Sequence, residues 1–306
     1  MRWLVGAIMG GVVLLCADML KPIPLNSGVN WRKAALGKRL FHDPILSKDN
    51  TVSCASCHDL QRGGDDGLPV SIGIGGAVGD INAPTVYNAV FNFRQFWDGR
   101  AKDLAEQVYG SVENPMEMGE SMEHVAKKLQ QNIWYAKEFS QLYEDGVAPA
   151  NIANAIAAYE RTLITPNAPF DQYLRGDEDA ISPEAKRGYA LFQYKGCIIC
   201  HNGVNVGGNL YNKFGIYKAS KSRDLGRYHI TKKESDKYVF KVPSLRNVSL
   251  TSPYMHDGRV TTLFDAVKLM TEYQLGRFMS DAEIEDIVSF LQSLEGEVPI
   301  TAKVLP

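Results

Sequence analysis

The sequence predicts a mainly α chain made of two similar units in tandem. Three observations carry that prediction. One five-residue pattern occurs twice, as Cys54-Ala-Ser-Cys57-His58 and as Cys197-Ile-Ile-Cys200-His201. A long block that follows the first copy recurs, without a gap, after the second. Between these blocks lie stretches with helical apolar spacing and recognisable ends.

The recurring block is the strongest sign of duplication. "NAPTVYNAVFNFRQFWDGRAKDLAEQV" (82–108) aligns with "KVPSLRNVSLTSPYMHDGRVTTLFDAV" (241–267). Pro84 pairs with Pro243, Asn88 with Asn247, Asp98-Gly99-Arg100 with Asp257-Gly258-Arg259, and Leu104 with Leu263, all at an offset of 159. The two cysteine patterns are 143 apart, so the second unit carries 16 extra residues between its pattern and its block. Trp97 falls opposite His256. A repeat of this length implies two units of like fold.

Taken in order, the chain begins with "MRWLVGAIMGGVVLLCADM", one Arg before an apolar run and then small or polar residues. That is the pattern of a secretory leader, short for a membrane span, with cleavage expected after Ala17. An uncleaved anchor over 1–20 is the alternative. A lipoprotein leader fits less well, because Cys16 follows Leu15. "WRKAALGKRLF" (31–41) predicts a helix that stops before Pro44. "SMEHVAKKLQQNIWYAKEFSQLY" (121–143) repeats Val125, Leu129 and Ile133 at helical spacing. "APANIANAIAAYERTLI" (148–164) is Ala-rich and opens on Pro149, where a helix tolerates proline. "TPNAP" (165–169) reads as the linker between units. "SPEAKRGYALFQY" (182–194) has Ser182 as N-cap with Pro183 at the first helical position. "SDAEIEDIVSFLQSLEG" (280–296) opens on a Ser280…Glu283 capping box and predicts a stop at Gly296. Stretches 60–100 and 202–260 are loop-rich. The first unit is expected over 27–165, where the tail 297–306 can join it, and the second over 166–296.

Composition is that of an ordinary globular chain: 306 residues, 45% hydrophobic and 22% charged. A net charge of −2 argues against a nucleic-acid partner. C-x-x-C-H is the attachment signature of c-type haem, its thiols bonding to the porphyrin and its His ligating the iron. A shared zinc site would need the cysteine pairs close together, and 139 residues separate them. A thioredoxin-type pair belongs between a strand and a helix, whereas these patterns sit among helical signals. Two plain disulfides would not require a His at the same place twice. The prediction is two cytochrome c-like domains, each with one covalently attached haem c.

With these residues the chain resembles a known family. The two C-x-x-C-H patterns, "LGKRLFHDPILS", "NAPTVYN", "FWDGRAKDLAEQ", "NPMEM", "VPSLRNVSLTSPYMHDG" and "LMTEYQLG" resemble the bacterial dihaem cytochrome c peroxidases in order and spacing, from about residue 31 to 294. The resemblance implies a periplasmic enzyme, commonly a homodimer, that reduces hydrogen peroxide to water. Its electrons would come from a small c-type cytochrome or a cupredoxin. His58 would be the proximal ligand of the peroxide-site iron, and His201 that of the electron-transfer iron. The family spacing puts the second iron's Met ligand at Met270. Read from the residues alone, Met270 could equally be a core methionine, and Met255 is another possible ligand.

The resemblance further implies Glu117 as the proton-handling carboxyl, Gln107 beside it and Phe96 as a pocket wall. Taken alone, Glu117 would read as a solvated carboxylate like Glu113 and Glu120. Trp97 takes the family position between the haems, where an indole could assist electron transfer or simply fill the gap. Asn82, Thr251 and Pro253 match a calcium site of largely backbone oxygens. His256 is expected to be a packed or hydrogen-bonded histidine, and His42, His124 and His229 have no motif that claims them.

One departure matters. Many members have a His within the loop "SIGIGG" (71–76) that caps the oxidised peroxide-site iron. Here that place holds Ile74, whose side chain has no lone pair, so the first iron is expected to have an open sixth position without reductive activation. Two other readings fit a dihaem chain: an enzyme of the methylamine dehydrogenase maturation (MauG) type, which oxidises a partner protein, or a non-catalytic electron-transfer cytochrome. Met270 speaks against the first, since those enzymes carry Tyr there. Glu117 with Gln107 speaks against the second.

Overall fold

A computed structural model of the chain describes residues 19–26, 28–220 and 222–303. The predicted leader therefore lies outside the described residues, apart from Met19 and Leu20. The structure is mainly helical, with two apolar cores and one small antiparallel sheet among the described residues.

The first core is built on α1 (Trp31–His42) crossing α6 (Pro149–Glu160). Asn30 starts α1 by accepting from the amides of Arg32 and Lys33. The crossing is close because Gly37 has no Cβ; one there would run into the Ala155 carbonyl. Around it pack Leu40, Phe41, Val125, Leu129, Phe139 and Ile156. The second core repeats the device: α8 (Pro183–Tyr194) crosses α11 (Asp281–Gln292), and Gly188 admits the Asp286 carbonyl. Ser182 accepts from the Ala185 amide and the Ser280–Glu283 capping box forms as expected. The repeated block also folds alike. The bridge Gln95↔Ala101 has its counterpart in Tyr254↔Val260, and Phe96 and Met255 share a positive φ.

The remaining helices complete the two units. In the first, α2 (Cys54–Cys57) is one turn, followed by α3 (Leu104–Val112), α4 (Met122–Gln131) and α5 (Ile133–Leu142). In the second are α7 (Pro169–Leu174), α9 (Tyr228–Thr231) and α10 (Leu263–Met270). Strands β1 (Tyr211–Lys213) and β2 (Val239–Lys241) pair with Tyr211 opposite Lys241.

Two expectations are corrected. The helix over 121–143 is broken at Asn132, which sits at φ −85° and ψ 113° and accepts from the amides of Trp134 and Tyr135. An Asn side chain offers the backbone an alternative to the helical ladder, and here that alternative wins. Ile133 is consequently 88% exposed rather than on the buried face. Gly296 does not stop α11, which ends at Gln292; its amide donates to Asn247 Oδ1, and a Cβ on it would strike the Thr165 carbonyl.

The segment "TPNAP" runs between the two cores and is held in place there. Thr165 is buried, and its hydroxyl accepts from Asn88 Nδ2 at 2.8 Å and from Asn247 Nδ2 at 2.9 Å. Asn88 and Asn247 are repeat mates, both left-handed, so one threonine ties equivalent points of the two units together. Thr165→Val should leave two buried amide donors without an acceptor, at a cost of about 1–3 kcal/mol. Thermal unfolding of the variant measures this, and an unchanged midpoint would contradict the tie.

The termini cross over. Leu20 packs in the second core and bridges to Gly203, while Ala302 packs in the first core. Tyr159 and Gln61 donate to the carbonyls of Thr301 and Ala302.

Candidate active site

Each cysteine pattern forms one tight turn at the wall of a cavity. In the first unit Ser53 and Ser56 cap α2 reciprocally, and the His58 amide closes the turn on the Cys54 carbonyl at 3.0 Å. Cys57 and His58 line a cavity of about 890 Å³. His58 Nδ1 lies 3.1 Å from the Gly64 carbonyl, which makes Nδ1 the protonated nitrogen and leaves Nε2 as the lone-pair donor. Burial lowers the pKa of His58, so the imidazole is neutral, as a metal ligand must be.

In the second unit the turn Cys197–Ile199 puts Cys197, Cys200 and His201 on the wall of another cavity. Burial draws His201 down to about 4, opposed by the Val206 and Pro243 carbonyls. Met270 ends α10 on the same wall, immediately before a π-helical turn over Thr271–Leu275. Such turns often mark functional positions in helices. Met255 also lines this cavity, so both thioethers stand in reach of it.

The donor sets fit haem c. The four cysteines among the described residues are free thiols rather than disulfides, and each pair precedes a neutral imidazole at a cavity wall. Burial pushes Cys57 and Cys197 up to about 11, so neither is poised as a thiolate for metal binding.

Opposite the first pattern, the same cavity collects Phe96, Gln107, Ser111, Asn114 and Glu117. α3 presents Gln107 and Ser111 one turn apart, with Gln107 Nε2 donating to Ser111 Oγ at 2.9 Å. Asn114 Nδ2 donates to Glu117 Oε1 at 2.8 Å. Burial raises the Glu117 pKa, held back by hydrogen bonds from Ser111 and Asn114 and by the Arg100 charge. A carboxyl so placed can both take and return a proton. Phe96, strained at φ 67°, lies under the Arg100 guanidinium at 3.4 Å from its ring centre.

The loop carrying Ile74 is clamped to the Glu117 segment. The Ile74 amide donates to the Glu117 carbonyl at 2.9 Å, and Gly73 packs so closely that a Cβ would strike the Met116 carbonyl. Gly73 and Gly79 close the loop onto Ala77 and Ser71. The Ile74 side chain lies against Gly119, and Ile74 is not among the residues that line the cavity.

Trp97 lines both cavities, as do Asn82 and Thr85. Its Nε1 donates to the Asn82 carbonyl at 3.0 Å, and its ring lies 6.2 Å from that of its repeat mate His256. His256 is buried, within 3.0 Å of Ser222 Oγ and stacked on Phe240. Asn82, Thr251 and Pro253 all line the second cavity. Glu120, expected to be solvated, is instead buried and hydrogen-bonded to the exposed His124, and His42 packs on Phe41 and Tyr159.

Several residues of the two cavities escaped sequence reasoning. Glu160 lines the first, fully desolvated, with no partner for Oε2 and a pKa pushed up to about 8 by burial. Its one sequence signal is a lone charge at the end of an Ala-rich helix. Arg100, Ser111 and Asn114 carry no signal beyond their place in the repeated block or beside Glu117.

Comparison with known proteins agrees with this geometry. Residues 31–179 match the family model "Di-haem cytochrome c peroxidase", and residues 185–295 match "Cytochrome c". A cytochrome c peroxidase of Escherichia coli is 48% identical over 91% of this chain, which spans 61% of that relative's length. Cytochrome c551 peroxidase of Pseudomonas aeruginosa is 44% identical, covering 92% of this chain and 85% of that one. MauG of Methylorubrum extorquens is 35% identical, at 93% and 84% coverage. Among solved structures, a MauG-like protein associated with microbial copper homeostasis matches with TM-score 0.77 at 27% identity, over 91% of this chain and 93% of that one. Two cytochrome c-like domains with a cavity at each C-x-x-C-H turn define a dihaem protein. The chain belongs to the di-haem cytochrome c peroxidase family.

Proposed function

We propose that this protein reduces hydrogen peroxide to water in the periplasm, drawing electrons singly from a small c-type cytochrome or a cupredoxin. The observation that carries the reading is Glu117, a buried carboxyl with a raised pKa on the cavity that His58 also lines. Haem iron held by His58 would supply the coordination position and, with its partner held by His201 and Met270, the electron storage. Glu117 would take a proton from one peroxide oxygen and return it to the other, so that peroxide, two electrons and two protons become two waters. Gln107 orients the substrate from the same face, and Phe96 keeps water from the wall. Trp97 fills the space between the cavities and supplies the indole path across it.

The domain division over 27–165 and 166–296 is part of this reading, supported by one core drawn from residues before Thr165 and one drawn, apart from Met19 and Leu20, from residues after it, and by the return of 297–303 to the first. A calcium ion held by oxygens of Asn82, Thr251 and Pro253 is part of the reading, supported by the place of all three on the lining of the second cavity. Export is supported by the leader pattern, and among the described residues no helix is long and apolar enough to cross a membrane. Met270 on the second cavity favours a peroxidase over the MauG-type reading, in which a Tyr holds that place.

Ile74 completes the proposal: the first iron is open in the oxidised protein and needs no prior reduction. The expected result is a high-spin or water-bound ferric signal from one haem of the fully oxidised protein, with peroxide consumed from the first turnover. Two purely low-spin haems would overturn the open site. The loop's clamp on Glu117 supports the reading, because it holds Ile74 against Gly119.

A further inference from the structure

Lys241 is the most unusual charge in the second unit. It ends β2, is 6% exposed, and lines the second cavity. Among the described residues its ammonium has neither a carboxylate nor a hydrogen-bonding partner, and burial alone draws its pKa down to about 8. No Asp or Glu lines that cavity at all, whereas Lys213 does. The first cavity is lined by charges of both signs, Glu117, Glu160, Asp80 and Asp98 together with Arg100, Arg223 and Arg259. An isolated buried ammonium is costly, and proteins keep one where a counter-ion arrives.

We propose that Lys241 is the counter-ion of a haem propionate in the second cavity, and that this fixed positive charge raises the reduction potential of that haem. The inference rests on the haem-binding reading above. A propionate is the anionic group that haem c brings into a cavity otherwise without acids. A cation held beside the porphyrin favours the ferrous state, whose net charge is one unit more negative. The position also suits electron delivery, since the Lys241 amide donates to the Trp97 carbonyl at 2.8 Å. The strand therefore ties the backbones of Lys241 and Trp97 together. Lys241 is a positioning and tuning residue, not a catalytic one.

Spectroelectrochemical titration of the full dihaem protein tests this. Lys241→Met keeps the volume and removes the charge, Lys241→Gln is a second neutral variant, and Lys241→Arg restores the charge. Both neutral variants should lower the equilibrium constant for reducing the second haem by about tenfold, a shift of about 59 mV for one electron. The first haem's midpoint should stay in place, and the Arg variant should recover most of the shift. An unmoved second midpoint in the neutral variants, or an equal fall in the Arg variant, overturns the proposal. Covalent haem counted in the same samples separates the two readings. Fewer than two haems in the unmodified protein would defeat the dihaem assignment, whereas two haems with no shift would defeat only the role of Lys241.

Discussion

Glu117→Gln is expected to lower peroxide turnover by about 10²- to 10⁴-fold while both haems stay bound. Gln has the same length and keeps an Oε1 to accept from Asn114 Nδ2, so the wall of the cavity survives the change. What it cannot do is take a proton and give it back. Turnover with a reduced small cytochrome and haem content in the same sample measure both halves of the expectation. Turnover within a factor of two of the unmodified protein would dismiss Glu117 as the proton carrier. The pH profile adds a sign. Burial raises the Glu117 pKa, and the base must be ionised to begin, so turnover should fall as pH drops through that raised value. In the Gln variant this acid limb should vanish.

Arg246→Met is expected to cost about 3–5 kcal/mol of stability, the largest structural effect in the molecule. Arg246 and Asp171 form an ion pair at 2.7 Å with both side chains wholly out of solvent. Arg246 also donates to the Val204 and Lys21 carbonyls, while Asp171 accepts from the Ile23 amide. The pair therefore fastens residues 19–25 to the second core, and Arg175 adds a bond to the Ile23 carbonyl. Removing the guanidinium strands a buried carboxylate. Burial already raises the Asp171 pKa against the opposing pull of Arg246. Without Arg246 the folded state would hold the proton more tightly still. A folded pKa above the unfolded one means stability is lost as pH rises toward it, so the deficit should be largest near neutrality and shrink in acid. Urea unfolding at several pH values checks this; a loss that does not vary with pH would mean that Asp171 stays ionised or finds another partner.

The sequence by itself determined everything that rests on contiguous chemistry. C-x-x-C-H is legible because two thioethers and a ligand must rise from one turn, and α2 and the Cys197–Ile199 turn are such turns. The caps at Ser182 and Ser280 are legible for the same reason, since each bonds an amide three residues on. The gapless block announced the duplication, and its two loops share a bridge and a strained residue. Asn132 was locally visible and still misread, because its side chain competes with a periodicity that pointed the other way. The tertiary structure alone decided the rest. Thr165 read only as linker, and the fold shows Asn88 and Asn247 converging on it from either side. Lys241, Glu160, Arg246 and Asp171 are ordinary charges in the string; only packing shows which are desolvated and what each then lacks. The energy of a charge depends on its dielectric surroundings and its partners, and both are supplied by residues tens to hundreds of positions away.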